Sequence, residues 1–382
     1  LSSVKYSTRH KAVKMACSSV PVQELPESLF GQEVYYHETG LLNDSITIEG
    51  HVLGDGTFSE VRTTYLPGAD GVVAKMIKKR DGILRMVRAE AEVCLQLRHP
   101  NIAACFGAAH TSMYAFLFFE HIKGRPLAQW THEFKAHYRR SPGEEDIRPF
   151  YWQVLHALHY LQTAYLVHTD LHNGNVMITH DNDKAILIDF GWVQTFRNGK
   201  PAMNRADSYA YPPEMVDQQL GIDHKCDIFF CASMFYEVLF DEGPFGVVEG
   251  VAIPDQLKIV RAGMCVKPCT ASSEPLQDLL HRCLAYDAND RPCAAEALLF
   301  QWFAGSNFTR PELRQYTQYI PPLNPAQLDR TIVEKIRRAW GSKPDQVVHN
   351  ILFEKNGAMA IAYQAGLFSA GQFFAPEATP TK

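Results

Sequence analysis

The sequence predicts an α+β fold, with strands in its first part and helices in the rest. Alternating apolar and glycine-interrupted segments fill residues 46 to 77, as in paired strands. From Ile147 onward, apolar side chains recur at helical spacing. Between these regions lies Leu166-Val-His-Thr-Asp-Leu-His-Asn-Gly-Asn-Val-Met-Ile178, followed by Ile186-Leu-Ile-Asp-Phe-Gly191, two apolar strands joined as a hairpin. At 382 residues the chain exceeds the usual size of one domain, so one large two-lobed unit with additions is expected.

In chain order, residues 1–45 mix Ser, Pro, Glu and His without periodicity and read as a poorly ordered or surface-draped extension. Alternation begins at Ile46 and leads into Val52-Leu-Gly-Asp-Gly-Thr-Phe-Ser-Glu-Val61. Gly54 and Gly56 let a backbone close over anionic oxygens where side chains would collide, although an ordinary hairpin turn carries the same signature. Val72-Val-Ala-Lys-Met-Ile77 is an apolar strand holding one lysine, Lys75, which is costly there unless something anionic meets it. Arg85 to Leu97 reads as a helix with Met86, Ala89, Val93 and Leu97 on one side. Tyr114 to Phe119 is a buried strand. Ser141-Pro-Gly-Glu-Glu-Asp-Ile147 then caps a long helix to about Ala164, with Phe150, Val154, Leu158 and Leu161 at helical spacing.

The hairpin carries the chemistry. Asp170, Asn175 and Asp189 converge at one turn, and phosphoryl transfer from a magnesium nucleotide uses such a set. One carboxylate orients the attacking hydroxyl and accepts its proton, while an amide oxygen and a second carboxylate hold the metal. His168-x-Asp-Leu-x-x-x-Asn175 followed by Asp189-Phe-Gly191 resembles a eukaryotic-type protein kinase.

The resemblance implies a bilobal protein-kinase fold over residues 46–304, a small antiparallel-sheet lobe plus a helical lobe, preceded by the extension 1–45. It implies ATP and Mg2+ as cofactors and a protein substrate phosphorylated on Ser or Thr. By similarity, Asp170 is the base or substrate-orienting carboxylate, and Asn175 and Asp189 are magnesium ligands. Lys75 meets the nucleotide phosphates and a helix glutamate. Glu90 is preferred to Glu92 for that pairing because it lies nine residues before His99-Pro100-Asn101-Ile102. Leu53, Gly54, Asp55, Gly56, Thr57, Phe58 and Ser59 cover the phosphates. Val61 and Val73 press on the adenine, Phe119 stands behind it, and the backbones of Glu120 and Ile122 face its edge. Glu214, in Tyr211-Pro-Pro-Glu214, pairs with Arg291, and Asp227 accepts hydrogen bonds from the catalytic-loop backbone.

Several positions depart from the family pattern. Ser59 replaces the third glycine and Val73 the more usual Ala. Thr169 replaces the arginine that would bind a phosphate on the activation loop, which implies activity independent of that phosphate. His172 replaces a lysine that neutralises the transferred group; a histidine is cationic or neutral near neutral pH and substitutes in part, so His172 joins the catalytic candidates. His168 reads as a packed structural residue. Asp207 or Ser208 stands where a Thr touches the catalytic Asp, and Gly174 removes an acidic position that favours basic substrates. Two rival readings stay open. One is a pseudokinase or scaffold, suggested by Thr169, His172 and Asp207. The other is a small-molecule phosphotransferase, because His-x-Asp-Leu-His-x-Gly-Asn is similar to aminoglycoside-type kinases, which lack the Pro-Pro-Glu, Asp227 and Arg291 framework.

Toward the C terminus, Glu274 to Leu284 and Ala294 to Phe303 read as helices, and 305–325 as a linker or wrapped tail. Leu328–Trp340, Pro344–Glu354 and Ala358–Leu367 look like short amphipathic helices, so 326–368 is similar to the three-helix ubiquitin-associated-like modules that follow some kinase domains, with helices simply packed on the lobe or partly ordered as the alternative. A regulatory partner could reach the chain through them. Residues 369–382 read as a tail, disordered from Phe373. The Gly-x-Phe-Ser-Glu-Val loop and this extension are similar to the calcium/calmodulin-dependent-kinase-like branch, although no basic calmodulin-binding helix is evident.

Composition bounds the rest. A net charge of −5 argues against a nucleic-acid-coating surface. No apolar run is long enough for a membrane span. The nine cysteines form no C-x-x-C pair and read as reduced thiols, which suggests a cytoplasmic protein.

Overall fold

Side-chain alternation along strands decides which residues face the site. The structure, a computed structural model, describes residues 30, 32, 40–42, 46–56, 58–80, 82–195, 211–216, 222–245, 272–304, 315–319, 321–322, 324–354 and 357–374. The small lobe contains strands β1 (Leu41–Leu42), β2 (Ile46–Asp55), β3 (Ser59–Tyr65), β4 (Val72–Lys78), β5 (Cys105–His110) and β6 (Tyr114–Glu120), with helix α1 (Leu84–Cys94) between β4 and β5. They form a six-stranded antiparallel sheet in the order β1-β2-β3-β4-β6-β5. In β4, Lys75 lies opposite Val61 of β3 and Leu117 of β6.

The large lobe contains β7 (Gly124–Pro126), α2 (Leu127–Tyr138), α3 (Glu144–Thr163), β8 (Leu166–Val167), β9 (Val176–Thr179), β10 (Ala185–Leu187), β11 (Gln194–Thr195), α4 (Lys225–Phe240) and α5 (Glu274–Cys283). Its core is built on α3 and α4, where Tyr151 stacks on Phe235 at 4.5 Å between ring centroids. Glu144, Glu145 and Asp146 open α3 at the positive end of its dipole, and Asp146 closes the turn by accepting from the Gly143 N–H at 2.7 Å. Sheet β10-β9-β7 carries the loop that follows β8 into the cleft. Three further helices, α6 (Arg330–Trp340), α7 (Pro344–Phe353) and α8 (Ala358–Ser369), follow among the described residues.

Both faces of the small-lobe sheet are buried along β4, β5 and β6. Ile77, Ala108, Ala115 and Leu117 pack with Val87 and Ala91 of α1 on one face. Val72, Ala74, Met76, Phe106, Phe116 and Phe118 meet Ile332, Ile336, Val347 and Ile361 of α6–α8 on the other. A strand buried on both faces carries a near-continuous apolar run, which is why β4 and β6 do not alternate in polarity. The contact is close: a Cβ at Gly107 would meet Ile361 Cγ1 at 2.5 Å, and Trp340 Nε1 donates to Pro67 O at 3.0 Å. Overpacking there costs about 1–3 kcal/mol. Gly107→Ala is therefore expected to lower the thermal midpoint, and Ile361→Ala beside it, which removes the clashing Cγ1 and leaves Cβ at 3.7 Å, to restore part of the loss.

Several expectations change. Phe30, in the N-terminal extension, is buried against the α1 face, and Leu41–Leu42 joins the sheet as its edge strand. Helix α1 ends at Cys94 rather than Leu97, and its buried stripe is Val87, Glu90, Ala91, Val93 and Cys94. Met86 and Ala89 are half-buried, and Met86, one turn before Glu90 on the same face, lines the cleft beside it. The helix expected over Ala294 to Phe303 is two pieces, Ala294–Ala297 and the 3-10 turn Gln301–Phe303. Phe373 is packed against Phe106 at 5.6 Å instead of lying in a loose tail. Asp207 and Ser208 lie outside the described residues. No helix among the described residues is long and apolar enough to cross a membrane.

Candidate active site

A cleft of about 650 Å³ opens between the lobes. It brings together Leu53, Gly54, Asp55, Gly56, Phe58, Ser59, Val61, Val73, Lys75 and Glu90 from the small lobe. Phe119, Glu120 and Ile122 line it from the connection between lobes, and Asp170, His172, Asn175 and Asp189 from the large lobe. Of the residues predicted from sequence, Thr57 lies outside the described residues.

Lys75 joins the two lobes. Its Nζ donates to Glu90 Oε1 at 2.6 Å and to Asp189 Oδ1 at 2.9 Å. Burial alone would lower the lysine, but the Glu90 and Asp189 carboxylates outweigh it and raise its pKa above the ordinary range. Burial would likewise raise Asp189, and the Lys75 ammonium reverses that, holding the carboxyl down at about 2. Burial pushes Glu90 upward against the pull of Lys75. Glu92, by contrast, pairs along its own helix with Arg88 at 2.7 Å.

The loop after β8 is shaped by Asp227 at the start of α4. Its carboxylate accepts from the N–H groups of His168 at 2.7 Å and Thr169 at 2.9 Å. Burial raises Asp227, while His168 and these two N–H groups pull it down. Thr169 stands at φ +63°, a conformation in which a β-branched residue is strained by about 1–3 kcal/mol. Its hydroxyl donates to Trp192 O at 2.6 Å, so the side chain that replaces an arginine ties the loop to the start of the activation segment. His168 is fully buried, packs on Phe190 at 4.8 Å and sets Nε2 3.1 Å from Ile188 O, which fits its expected structural role.

Asn175 Nδ2 donates to the Asp170 carbonyl at 2.8 Å and to Asp170 Oδ2 at 3.3 Å. With its nitrogen so engaged, the amide presents its oxygen elsewhere. That oxygen and the Asp189 carboxylate are hard donors suited to Mg2+, and two protein ligands supplemented by phosphate and water is how that ion is commonly held. His172 turns back onto its own loop. Its Nδ1 lies 3.0 Å from the Gly174 N–H, and its Nε2 lies 4.0 Å from Asp170 Oδ2. A Cβ at Gly174 would meet the His172 ring at 2.8 Å, so the glycine makes room for the imidazole.

Residues 48–303 match the protein kinase domain family. The chain belongs to the protein kinase family. It is 27% identical over 242 residues to sperm motility kinase 1 of Mus musculus, covering 63% of this chain and 48% of that protein. It is 26% identical over 293 residues to mitogen-activated protein kinase kinase kinase 1a of Physcomitrium patens, covering 74% and 37%. With the SNF1-like protein kinase ssp2 of Schizosaccharomyces pombe it shares 26% identity over 321 residues, 81% and 52%. The chain thus spans about half the length of the curated relatives it matches.

Sequence reasoning missed part of this kinase cleft. Ala103, Met177 and Ile188 also line it. Met177 had a legible signal: it alternates with the buried Val176 and Ile178 on β9 and so faces the opposite way, into the cleft. Glu120 was predicted for its backbone alone. Its side chain also accepts from the Ala104 N–H at 2.9 Å, and burial raises its pKa to about 7.

Proposed function

We propose that the chain is an active protein kinase that transfers the γ-phosphoryl group of Mg-ATP to Ser or Thr hydroxyls of proteins. The observation that carries this reading is the pairing of Lys75 with both Glu90 and Asp189 across the cleft, above the Asp170–Asn175 hydrogen bond. Lys75 faces the nucleotide phosphates, and Gly54 and Gly56 leave the backbone open to approach them. Bound magnesium would supply charge neutralisation at the phosphates, held by Asn175 and Asp189. Asp170 orients the substrate hydroxyl and takes its proton as the oxygen–phosphorus bond forms and the bond to the departing ADP oxygen breaks. His172 lies where a cation near the transferred group contributes to transition-state stabilisation.

Activity is expected without phosphate on the activation segment, because Thr169 holds Trp192 through a neutral hydrogen bond where the family pattern has an arginine. The purified full chain should phosphorylate Ser- and Thr-containing peptides of a library with Mg-ATP, before and after phosphatase treatment, and lose that transfer on chelation by EDTA. Nucleotide binding with no transfer to any peptide would favour the scaffold reading and reject this one.

A further inference from the structure

Arg98 lies outside the cleft, on the turn that follows α1. Its Nη1 donates to the carbonyls of Leu95, the C-cap of α1, at 3.2 Å and Leu97 at 2.8 Å, fixing the turn that follows the helix carrying Glu90. A cation there also complements the negative end of the α1 dipole. The guanidinium is held between two aromatic rings, with Cζ 4.1 Å from the Tyr319 centroid and 4.1 Å from that of Phe373. Such stacking is worth more when the cation is desolvated, and burial here pulls the Arg98 pKa below its ordinary value.

Neither ring belongs to the residues matched as the kinase domain. Tyr319 comes from the segment 315–319, and Phe373 follows α8. That segment is tied to three parts of the molecule. The Tyr316 hydroxyl donates to Gln96 Oε1 at 2.8 Å beside Arg98, and the Tyr316 N–H donates to Thr163 Oγ1 at 2.8 Å at the end of α3. Gln364 of α8 donates to the Tyr319 hydroxyl at 2.7 Å.

We propose that Arg98 is a positioning residue for phosphoryl transfer: gripped by Tyr319 and Phe373, it fixes the end of α1 and thereby keeps Glu90 on Lys75. The segment after the kinase domain is then a support of the active arrangement, not a passive linker. This rests on the kinase reading above, so its test has one readout that needs activity and one that does not.

In the full chain, Arg98→Ala, Tyr319→Ala and Phe373→Ala are each expected to lower kcat per folded molecule about tenfold, within the range of coupling between packed sites, with KM for peptide unchanged. Tyr319→Phe keeps the ring and should remain within about twofold of wild type, since the stacking contribution persists. Arg98→Ala combined with Tyr319→Ala should be no worse than Arg98→Ala alone, because both remove one interaction. Independently of any transfer, backbone amides of α1 should exchange hydrogen faster in the Ala variants while those of α3 do not. Unchanged exchange in α1, or losses of kcat that merely follow the folded fraction, would overturn the proposal. Faster α1 exchange in a chain that transfers no phosphate would uphold the support and reject the kinase reading instead.

Discussion

Asp170→Asn is expected to lower kcat by about 10³-fold, the middle of the range for losing a positioned general base, while leaving folding and nucleotide binding intact. The substitution keeps the shape of the side chain and removes its basicity. Asn175 retains the Asp170 carbonyl, at 2.8 Å, as the stronger of its two contacts, so the loop keeps its form. Lys75, Glu90 and Asp189 are untouched, and with them the interactions proposed above to hold the phosphates and metal. A single-turnover assay with Mg-ATP and peptide should show the loss, and nucleotide-dependent thermal stabilisation should match wild type. Equal incorporation by the two proteins would remove Asp170 from its role.

Much of this arrangement was legible because it rests on short-range pattern. A lysine in an otherwise apolar strand has to find carboxylates, and Lys75 finds two. The hairpin spacing fixed Asp170, Asn175 and Asp189 relative to one another, since β9 and β10 pair directly. The choice of Glu90 over Glu92 survived an error in the helix face that was to carry it. Of the stripe that hydrophobicity predicts, Val93 and Leu97 are buried but Met86 and Ala89 only half so, and packing adds Val87, Ala91 and Cys94 beside Glu90. A charged residue on the buried face, here Glu90 paired with Lys75, misleads a count of apolar positions.

Long-range packing was less legible. The apolar runs in β4 and β6 imply that both faces of the sheet are covered, but nothing local in them says by what. The cover on the second face comes from helices more than two hundred residues downstream, with Ile361 seated over Gly107. The placement of Tyr316, Tyr319 and Phe373 was hidden for the same reason. Tyr316 and Tyr319 stand in the run Gln315-Tyr-Thr-Gln-Tyr-Ile-Pro-Pro322 and Phe373 follows Gly371-Gln372, stretches without helix or strand periodicity, and only the fold brings Arg98 between Tyr319 and Phe373.

Breaking the Arg291–Glu214 pair is expected to have the largest effect on stability. The Arg291 side chain is 0% exposed and that of Glu214 3%. The guanidinium meets the carboxylate through two parallel bonds, Nη1 to Oε1 at 2.6 Å and Nη2 to Oε2 at 2.9 Å. Its remaining donors reach the carbonyls of Ala285 at 2.7 Å, Tyr286 at 3.1 Å and Lys225 at 3.3 Å, and its Cζ lies over the Phe229 ring, 4.7 Å from the centroid. Arg291→Met leaves a buried carboxylate without its cation, a change worth about 3–5 kcal/mol, read as a lower denaturant midpoint with an unchanged slope. Arg291→Lys should rescue little, because an ammonium cannot reproduce the planar fork or the stacking. Arg291→Met combined with Glu214→Met removes both charges and should recover a large part of the loss. If the double variant were instead as unstable as the sum of the single ones, the pair would be two independent contacts and not one. Because Glu214 closes the activation segment, the single variants should also lose transfer at temperatures where they remain folded, with Asp170 and Lys75 unchanged.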